Sequence, residues 1–132
     1  MQTKEELLEV IKAQRCSQLE TIFNNMIGSG LKVTYGNDRT EEMMVAGGRE
    51  ALFSLKAFLS YYKKINASEC IIRDPYTKEI HSDTIENMEE MISEVEDWGM
   101  ESYIKNIRKQ DYIKKCESIE DVMNVTWDSI ED

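Results

Sequence analysis

The chain has 132 residues, 41% of them hydrophobic and 32% charged, and a formal net charge of −10 at pH 7. This composition is typical of a globular protein, and no apolar run approaches the roughly 18 residues that a membrane span needs. The first residues, MQTKEELLEVIK, lack the apolar stretch of a secretory signal. We therefore expect one soluble domain, residues 1–132, that is not secreted and crosses no membrane.

The first element is predicted to be a helix over residues 3–27, because its apolar residues recur at intervals of three and four. Thr3 followed by Glu6 is typical of a capping box, and the glycines at 28–30 indicate a stop. Residues 31–35 then alternate apolar and polar side chains, which predicts a short strand that ends in the turn cluster at 36–38.

A second helix is predicted over residues 40–64, with Thr40 as its cap and Glu41 and Glu42 near the positive end of its dipole. Gly47 and Gly48 lie inside this range and disfavour a helix. Either the helix begins later or another backbone packs closely at these glycines, and the sequence does not decide between the two. One side of this helix is lined by Leu52, Leu55, Phe58, Leu59 and Tyr62.

A hairpin is predicted over residues 69–81, because two short apolar segments flank a turn, Asp74 to Thr77, that contains the only proline. Isolated hairpins are marginally stable, so we expect this one to join strand 31–35 or pack on a helix. The fold class is therefore α+β: a mostly helical single domain with a small antiparallel sheet, strand 31–35 and hairpin 69–81, packed on long helices.

The last long helix is predicted to start at Asp83 or Thr84 and to continue toward residue 115. Gly99 leaves open whether this stretch is one helix or an antiparallel pair of helices. Ser118 followed by Asp121 predicts a final short helix before Trp127.

The negative charge is concentrated in the second half of the chain. Residues 1–68 hold nine bases and eight acids, whereas residues 69–132 hold seven bases and eighteen acids. Nucleic-acid binding requires clustered basic side chains, and the basic cluster at 105–115 has acidic residues on both sides. Direct binding to nucleic acid is therefore disfavoured.

The sequence offers little material for catalysis. Its one histidine, His81, stands beside Ser82 and Asp83, but adjacent residues cannot form a catalytic triad, so a role in a turn or a cap is favoured. The three cysteines have no CxxC spacing and no second histidine to complete a zinc site, which indicates reduced, buried thiols. We expect no catalytic residue, no cofactor and no metal.

A protein partner is the remaining interpretation. Trp98 and Trp127 stand in acidic, polar surroundings near predicted helix ends, and such tryptophans are favoured as interface anchors. Next to Trp98 lies an acidic run that suits a basic partner surface. The candidate partner interface is therefore Trp98, Trp127, Glu89, Glu90, Glu94 and Asp97.

The second half of the chain resembles a bacteriophage domain of unknown function found at the end of tail-fibre and tail-associated proteins. The resemblance covers roughly residues 66–128, and the terminal ESIEDVMNVTW, residues 117–127, carries it most closely. Two positions depart from the pattern, because Ile72 replaces a tryptophan and Cys116 replaces a small residue. The resemblance implies a tail-region protein with a binding or assembly role, and no catalytic residues to carry over.

We therefore expect a non-enzymatic phage or prophage protein that works through protein–protein contacts, as a tail-region structural component or assembly factor. Its partner would be another phage tail protein or a second copy of itself, and it would act in the host cytoplasm during assembly or in the virion. The alternative is a small acidic inhibitor or anti-defence protein that binds a basic surface of a host nucleic-acid-binding complex, because residues 69–132 carry eleven more acids than bases.

Overall fold

A computed structural model describes residues 2–36, 41–74 and 77–131. Within these residues the chain is α+β and mostly helical, with short antiparallel hairpins packed on long helices, which confirms the predicted fold class. The elements in chain order are α1 (Lys4–Ser29), β1 (Leu31–Tyr35), β2 (Glu41–Val45), α2 (Arg49–Lys64), β3 (Glu69–Arg73), β4 (Ile80–Thr84), α3 (Ile85–Lys115) and α4 (Ile119–Met123).

The helix starts follow the predicted caps. The Glu6 backbone N–H donates to Thr3 Oγ1 at 3.1 Å, and the Asn87 N–H donates to Thr84 Oγ1 at 3.2 Å. The Asp121 N–H donates to Ser118 Oγ at 3.1 Å at the start of α4. Each hydroxyl satisfies a backbone donor that has no partner within its own helix, which fixes where the helix begins.

Residues 83–115 do not form a pair of helices, because α3 runs unbroken from Ile85 through Gly99 to Lys115. A single glycine weakens a helix by about 1 kcal/mol, which neighbouring packing easily offsets. The acidic residues of this stretch therefore lie toward the N-terminal end of one helix and the basic residues toward its C-terminal end, an order that suits the helix dipole.

The predicted start of the second helix is wrong. Residues 41–45 form β2, which pairs antiparallel with β1 in the register Leu31 to Val45 and Val33 to Met43. Helix α2 begins only at Arg49, with Gly48 as its N-cap. The strand was predicted as helix because glutamate and methionine favour helices. Pairing with β1 and burial of Met43 and Val45 outweigh this local propensity. The predicted cap Thr40 lies outside the described residues.

The strands form two hairpins of two strands each. Strand β3 pairs antiparallel with β4, and Ile72 faces His81 across the ladder. Strand 31–35 takes β2 as its hydrogen-bonded partner and is not paired with the hairpin at 69–84. Pro75, predicted in the turn of that hairpin, and Asn37 and Asp38, predicted in the turn after β1, lie outside the described residues.

The chain is organised as two compact units. The central unit is residues 27–100, and the terminal unit is residues 1–26 with 101–132. The core of the central unit contains side chains from both hairpins and from α3, namely Val33, Tyr35, Met43, Val45, Cys70, Ile72, Met88, Met91 and Val95. The core of the terminal unit contains Leu19, Ile113, Cys116, Val122 and Val125.

Candidate protein-binding site

Helix α2 carries apolar side chains on two opposite faces. Its inner face, Leu52, Leu55, Leu59 and Tyr62, packs on the core of the central unit. At about 100° per residue, these four lie about 140–160° around the helix axis from Ala57. A surface helix ordinarily presents polar side chains on the face away from the core. The outer face of α2 instead carries the set we call the aromatic face: Phe53, Ser54, Ala57, Phe58 and Tyr61.

The aromatic face is largely open to solvent. Phe53 is 74% exposed, Phe58 54% and Tyr61 58%, and Ile65 extends the apolar surface just past the end of the helix. Single exposed apolar residues are ordinary, but three aromatic rings within nine residues of one helix form a continuous patch. Such patches mark places where a protein binds another surface, since aromatic rings bury much area at low conformational cost.

One flank of α2 is held by ion pairs with α3. Lys56 Nζ lies 2.8 Å from Glu96 Oε2, and Lys63 pairs with Glu89. Both pairs are on the surface, so each adds little to stability. Together with the packed inner face they fix which way the aromatic face points.

The other flank borders a small apolar groove of about 200 Å³ between α2 and the edges of the two hairpins. Phe58 forms part of its wall together with Met44, Ala46 and Ile72. This ring lies at the border between the groove and the aromatic face, because position 58 is about 100° around the axis from Ala57.

None of the six residues predicted as the partner interface belongs to the aromatic face. Trp98 is half-buried and packs on the core of the central unit, where it covers Gly47. Trp127 is half-buried in the terminal unit, with its ring 6.4 Å from that of Phe23 and 4.6 Å from Lys105 Nζ. Both indoles therefore have structural contacts of their own.

The acidic members of that prediction all lie on α3 and are exposed. Glu90, Glu94 and Asp97 follow one another at spacings of four and three, so they share one face of the helix. Glu89 is engaged by Lys63 of α2. The structure thus brings three of the four acids together in a stripe and uses the fourth within the fold.

The most concentrated titratable groups of the central unit are in its interior. Tyr35 Oη and His81 Nδ1 share a hydrogen bond, and His81 Nε2 lies 3.9 Å from Asp74 Oδ2. His81 is 9% exposed, and Asp74 and Asp83 are each 5% exposed. His81 is therefore a core residue and not the turn or capping residue that its position suggested. The cluster is therefore packed in the interior of the central unit.

Asp83 has a structural task in the same region. Its carboxylate accepts hydrogen bonds from the backbone N–H groups of Gly36 at 2.8 Å and Thr84 at 2.7 Å, and from Asn87 Nδ2 at 2.9 Å. Asn87 Nδ2 also donates to the Gly36 carbonyl at 3.2 Å. These bonds connect the end of β1 to the start of α3, so Asp83 fixes backbone and is not positioned to act on a ligand.

The cysteines are free, as the sequence predicted. Cys70 and Cys116 are buried and Cys16 is half-buried. Burial is the main cause that raises the pKa of all three thiols, and nearby carboxylates, Asp83 for Cys70 and Asp121 for Cys116, act in the same direction. A raised pKa keeps a thiol protonated at neutral pH, and only the thiolate is a strong nucleophile or metal ligand.

Two further findings concern metals and membranes. In the ranges that the structure describes, no three His, Cys, Asp or Glu side chains are grouped so as to hold a metal ion. None of the helices in those ranges has a stretch both long and apolar enough to cross a membrane.

No protein-family model matches this sequence, and no curated protein or solved structure matches it either.

Proposed function

We propose that this protein is a binding component without chemistry of its own, and that it acts through protein–protein contacts made by the aromatic face of α2. The observation that carries the proposal is the exposure of Phe53 and Tyr61 on the side of α2 opposite its packed face, with the exposed ring of Phe58 at the border of that side. Burying such rings against a partner yields roughly 1.5–3 kcal/mol each. Without a partner, this patch would be open to nonspecific association.

The interior position of the histidine cluster also supports a binding role. His81, Asp74 and Asp83 are the residues from which an acid–base site would most readily be built, and each is at most 9% exposed. General acid–base catalysis requires a group within hydrogen-bond reach of the substrate. The aromatic face offers phenyl rings and the hydroxyl groups of Ser54 and Tyr61, and we assign these groups to binding.

For the biological setting we propose the tail region of a phage or prophage, as a structural component or assembly factor acting in the host cytoplasm or in the virion. The resemblance of residues 117–127 supports this setting. In the structure these residues form α4 and the segment after it. Ser118 caps the helix, and the side chains of Val122 and Val125 are at most 1% exposed. A motif of this kind specifies a fold, which is consistent with a domain whose role is assembly.

The test is co-expression of the full chain with the products of its neighbouring genes, followed by purification and measurement of mass by light scattering. We expect a complex, with another protein or with a second copy of this chain, whose affinity falls at least about tenfold in the double variant Phe53→Ser/Tyr61→Ser, because exposed aromatic anchors carry much of the binding energy of an interface. The matched control is Ile80→Ser/Ile130→Ser, since these side chains are 72% and 92% exposed but lie outside α2. The control should retain the complex.

Two outcomes would contradict the proposal. The first is a complex that the α2 variant leaves intact. If that complex also weakens steeply with salt and is lost when Glu89, Glu90, Glu94 and Asp97 are changed to their amides, the acidic-inhibitor alternative is the better account. Of these four acids, Glu89 forms an ion pair with Lys63 of α2. The second is the absence of any complex, with another protein or with a second copy.

A further inference from the structure

The aromatic face of α2 is arranged symmetrically about Ala57. Phe53 and Tyr61 each lie four residues from Ala57, and Glu50 and Lys64 each lie seven residues from it. At about 100° per residue, all four project within about 40° of the direction of Ala57. The stripe therefore reads acid, aromatic ring, small residue, aromatic ring, base along the helix.

The charges at the two ends of this stripe have no partner inside the described structure. Glu50 and Lys64 are exposed, and neither forms an ion pair with another described residue. The other lysines of α2, Lys56 and Lys63, are both paired with α3. The stripe thus ends in an acid and a base that remain available to a partner.

A second copy of α2 is complementary to this stripe when it lies antiparallel. A two-fold axis through Ala57 places Glu50 of each copy opposite Lys64 of the other, and Phe53 opposite Tyr61. Such an interface is self-complementary, which is the property that a symmetric dimer requires. A parallel copy in the same register would instead place like charges together at both ends.

The shape at the centre of the stripe suits close helix packing. Ala57 is the smallest side chain between the two rings, and a depression of about 430 Å³ lies over it, lined by Phe53, Ser54, Ala57, Phe58 and Tyr61. Helix axes approach to about 8–10 Å only where side chains at the crossing point are small or interlock. The rings on either side of Ala57 would interdigitate with those of the opposite helix.

We propose that the partner of the aromatic face is a second copy of this chain, bound through an antiparallel α2–α2 pair centred on Ala57. This inference rests on the proposed function, because it names the occupant of the same face. A single pair of short helices buries less than the roughly 1,600 Å² of a standard interface. The dimer is therefore weak, and it forms where the local concentration of the protein is high, as in an assembling particle.

The register is tested by reversing the charges at the ends of the stripe in the full chain, with sedimentation equilibrium to measure the dimer dissociation constant. Glu50→Lys and Lys64→Glu each place like charges together twice per dimer, and each should raise that constant at least about tenfold, since like-charge contacts suppress association. The combined variant Glu50→Lys/Lys64→Glu restores opposite charges across the interface. It should return to within about threefold of the wild type, because the pair is then attractive again.

Matched controls separate this effect from helix stability. Glu86→Lys reverses an acid in the first turn of α3, and Lys114→Glu reverses a base in its last turn. Both changes alter the helix dipole interaction as the test variants do, and both should leave dimerisation within about threefold of the wild type. Circular dichroism confirms that each variant is folded.

Ala57→Arg is an independent test of the crossing point. Arginine is a good helix former and position 57 is exposed, so the variant folds, but its long side chain prevents close approach of the helices. The dimer should be lost. A variant that dimerises like the wild type would overturn the proposal.

A wild type that stays monomeric up to about 1 mM would also overturn the second copy as partner, since even a weak specific interface is occupied there. The proposed function would survive that result if a complex with a neighbouring gene product is lost in Phe53→Ser/Tyr61→Ser. A wild-type dimer that the combined charge variant fails to recover would overturn the antiparallel register.

Discussion

Gly47, two residues before the start of α2, lies against the indole of Trp98, and this contact explains why position 47 has no side chain. A Cβ atom added at Gly47 would stand 2.7 Å from Trp98 Cζ3 and 3.3 Å from its Cε3. Real side chains do not approach that closely, so a larger residue would have to push the indole out of the core of the central unit. The glycine is therefore needed for close packing against a side chain.

Alanine substitutions at Gly47 and Gly99 should have opposite effects. Gly47→Ala should lower the free energy of unfolding by about 1–3 kcal/mol, because it overpacks the site against Trp98. Gly99→Ala should raise it by about 0.5–1 kcal/mol, because alanine favours the helix and the nearest atom, Gly47 O, is 3.8 Å from the added Cβ. Urea unfolding of the two variants measures both changes in the free energy of unfolding. A stabilised Gly47→Ala variant and a destabilised Gly99→Ala variant would contradict the described packing.

The interior position of His81 could not be predicted from its neighbours in the sequence. Its neighbours in the sequence, Ser82 and Asp83, suggested a turn. In the structure the His81 ring contacts Tyr35, which lies on the other hairpin, and Asp74, which lies across the turn of its own hairpin. The one available signal was the alternation of β4, which places His81 and Asp83 on the same face. Which face is buried depends on packing across the unit.

The elements of the terminal unit are joined by a buried lysine. Lys109 is 4% exposed, and its ammonium group donates to the Ser129 carbonyl at 2.7 Å and to Glu131 Oε1 at 2.8 Å. Burial acts to raise the pKa of Glu131, but hydrogen bonds from Lys109 and Ser129 and the charges of Lys109 and Lys105 outweigh it and hold the pKa below its usual range. This contact attaches the segment after α4 to α3.

Glu131→Gln should therefore destabilise the protein near neutral pH, by about 1–3 kcal/mol, since it leaves a buried ammonium group without its counter-charge. Because the folded-state pKa of Glu131 is depressed, its contribution is complete above the ordinary value near 4.5 and is lost as pH falls through the folded-state value. The gap between wild type and variant should therefore narrow as the pH is lowered below 4.5.

Urea unfolding at pH 7 and at about pH 3 measures this gap. Glu120→Gln is the control, because Glu120 is an exposed acid of α4 that should change stability little at either pH. An equal loss at both pH values in Glu131→Gln would show that the charge of Glu131 is not the cause.

At the element scale α2 was the least predictable part of the fold. Its inner stripe was visible in the sequence, but so was a second stripe at Phe53, Ala57 and Tyr61, and periodicity alone does not say which of two apolar faces packs inward. Position 58 lies between the two stripes, about 100° around the helix axis from Ala57. The missed strand β2 has a similar cause, since its identity depends on pairing with β1 and not on its own residues.

The whole molecule carries a net charge of −10, and the ion pairs described within it are few and mostly exposed. Repulsion among the excess acids opposes the compact state. Added salt screens exposed charges beyond about 8–10 Å, which reduces this repulsion more than it weakens short ion pairs.

The melting temperature should therefore rise as NaCl is increased from about 0.01 M to about 0.15 M, by an amount on the order of 3 °C, which is about 1 kcal/mol for a chain of this size. Changing Glu86, Asp97 and Glu101 to their amides removes three of the ten excess negative charges and should shrink the response. Thermal unfolding followed by circular dichroism measures it. A melting temperature that falls with salt would mean that the ion pairs dominate.

The sequence by itself determined the features that depend on neighbouring residues: the caps at Thr3 and Ser118, a helix start at Asp83 or Thr84, the hairpin at 69–81, the free thiols and the α+β class. These follow from local hydrogen bonding and from periodicity, which residues a few positions apart already encode. Only the tertiary structure decided that β1 pairs with β2, that α3 continues through Gly99, that His81 is interior and that the rings of α2 remain outside. The reason is that burial and strand pairing depend on residues that are distant along the chain. A pattern among neighbouring residues does not show which of them will be buried.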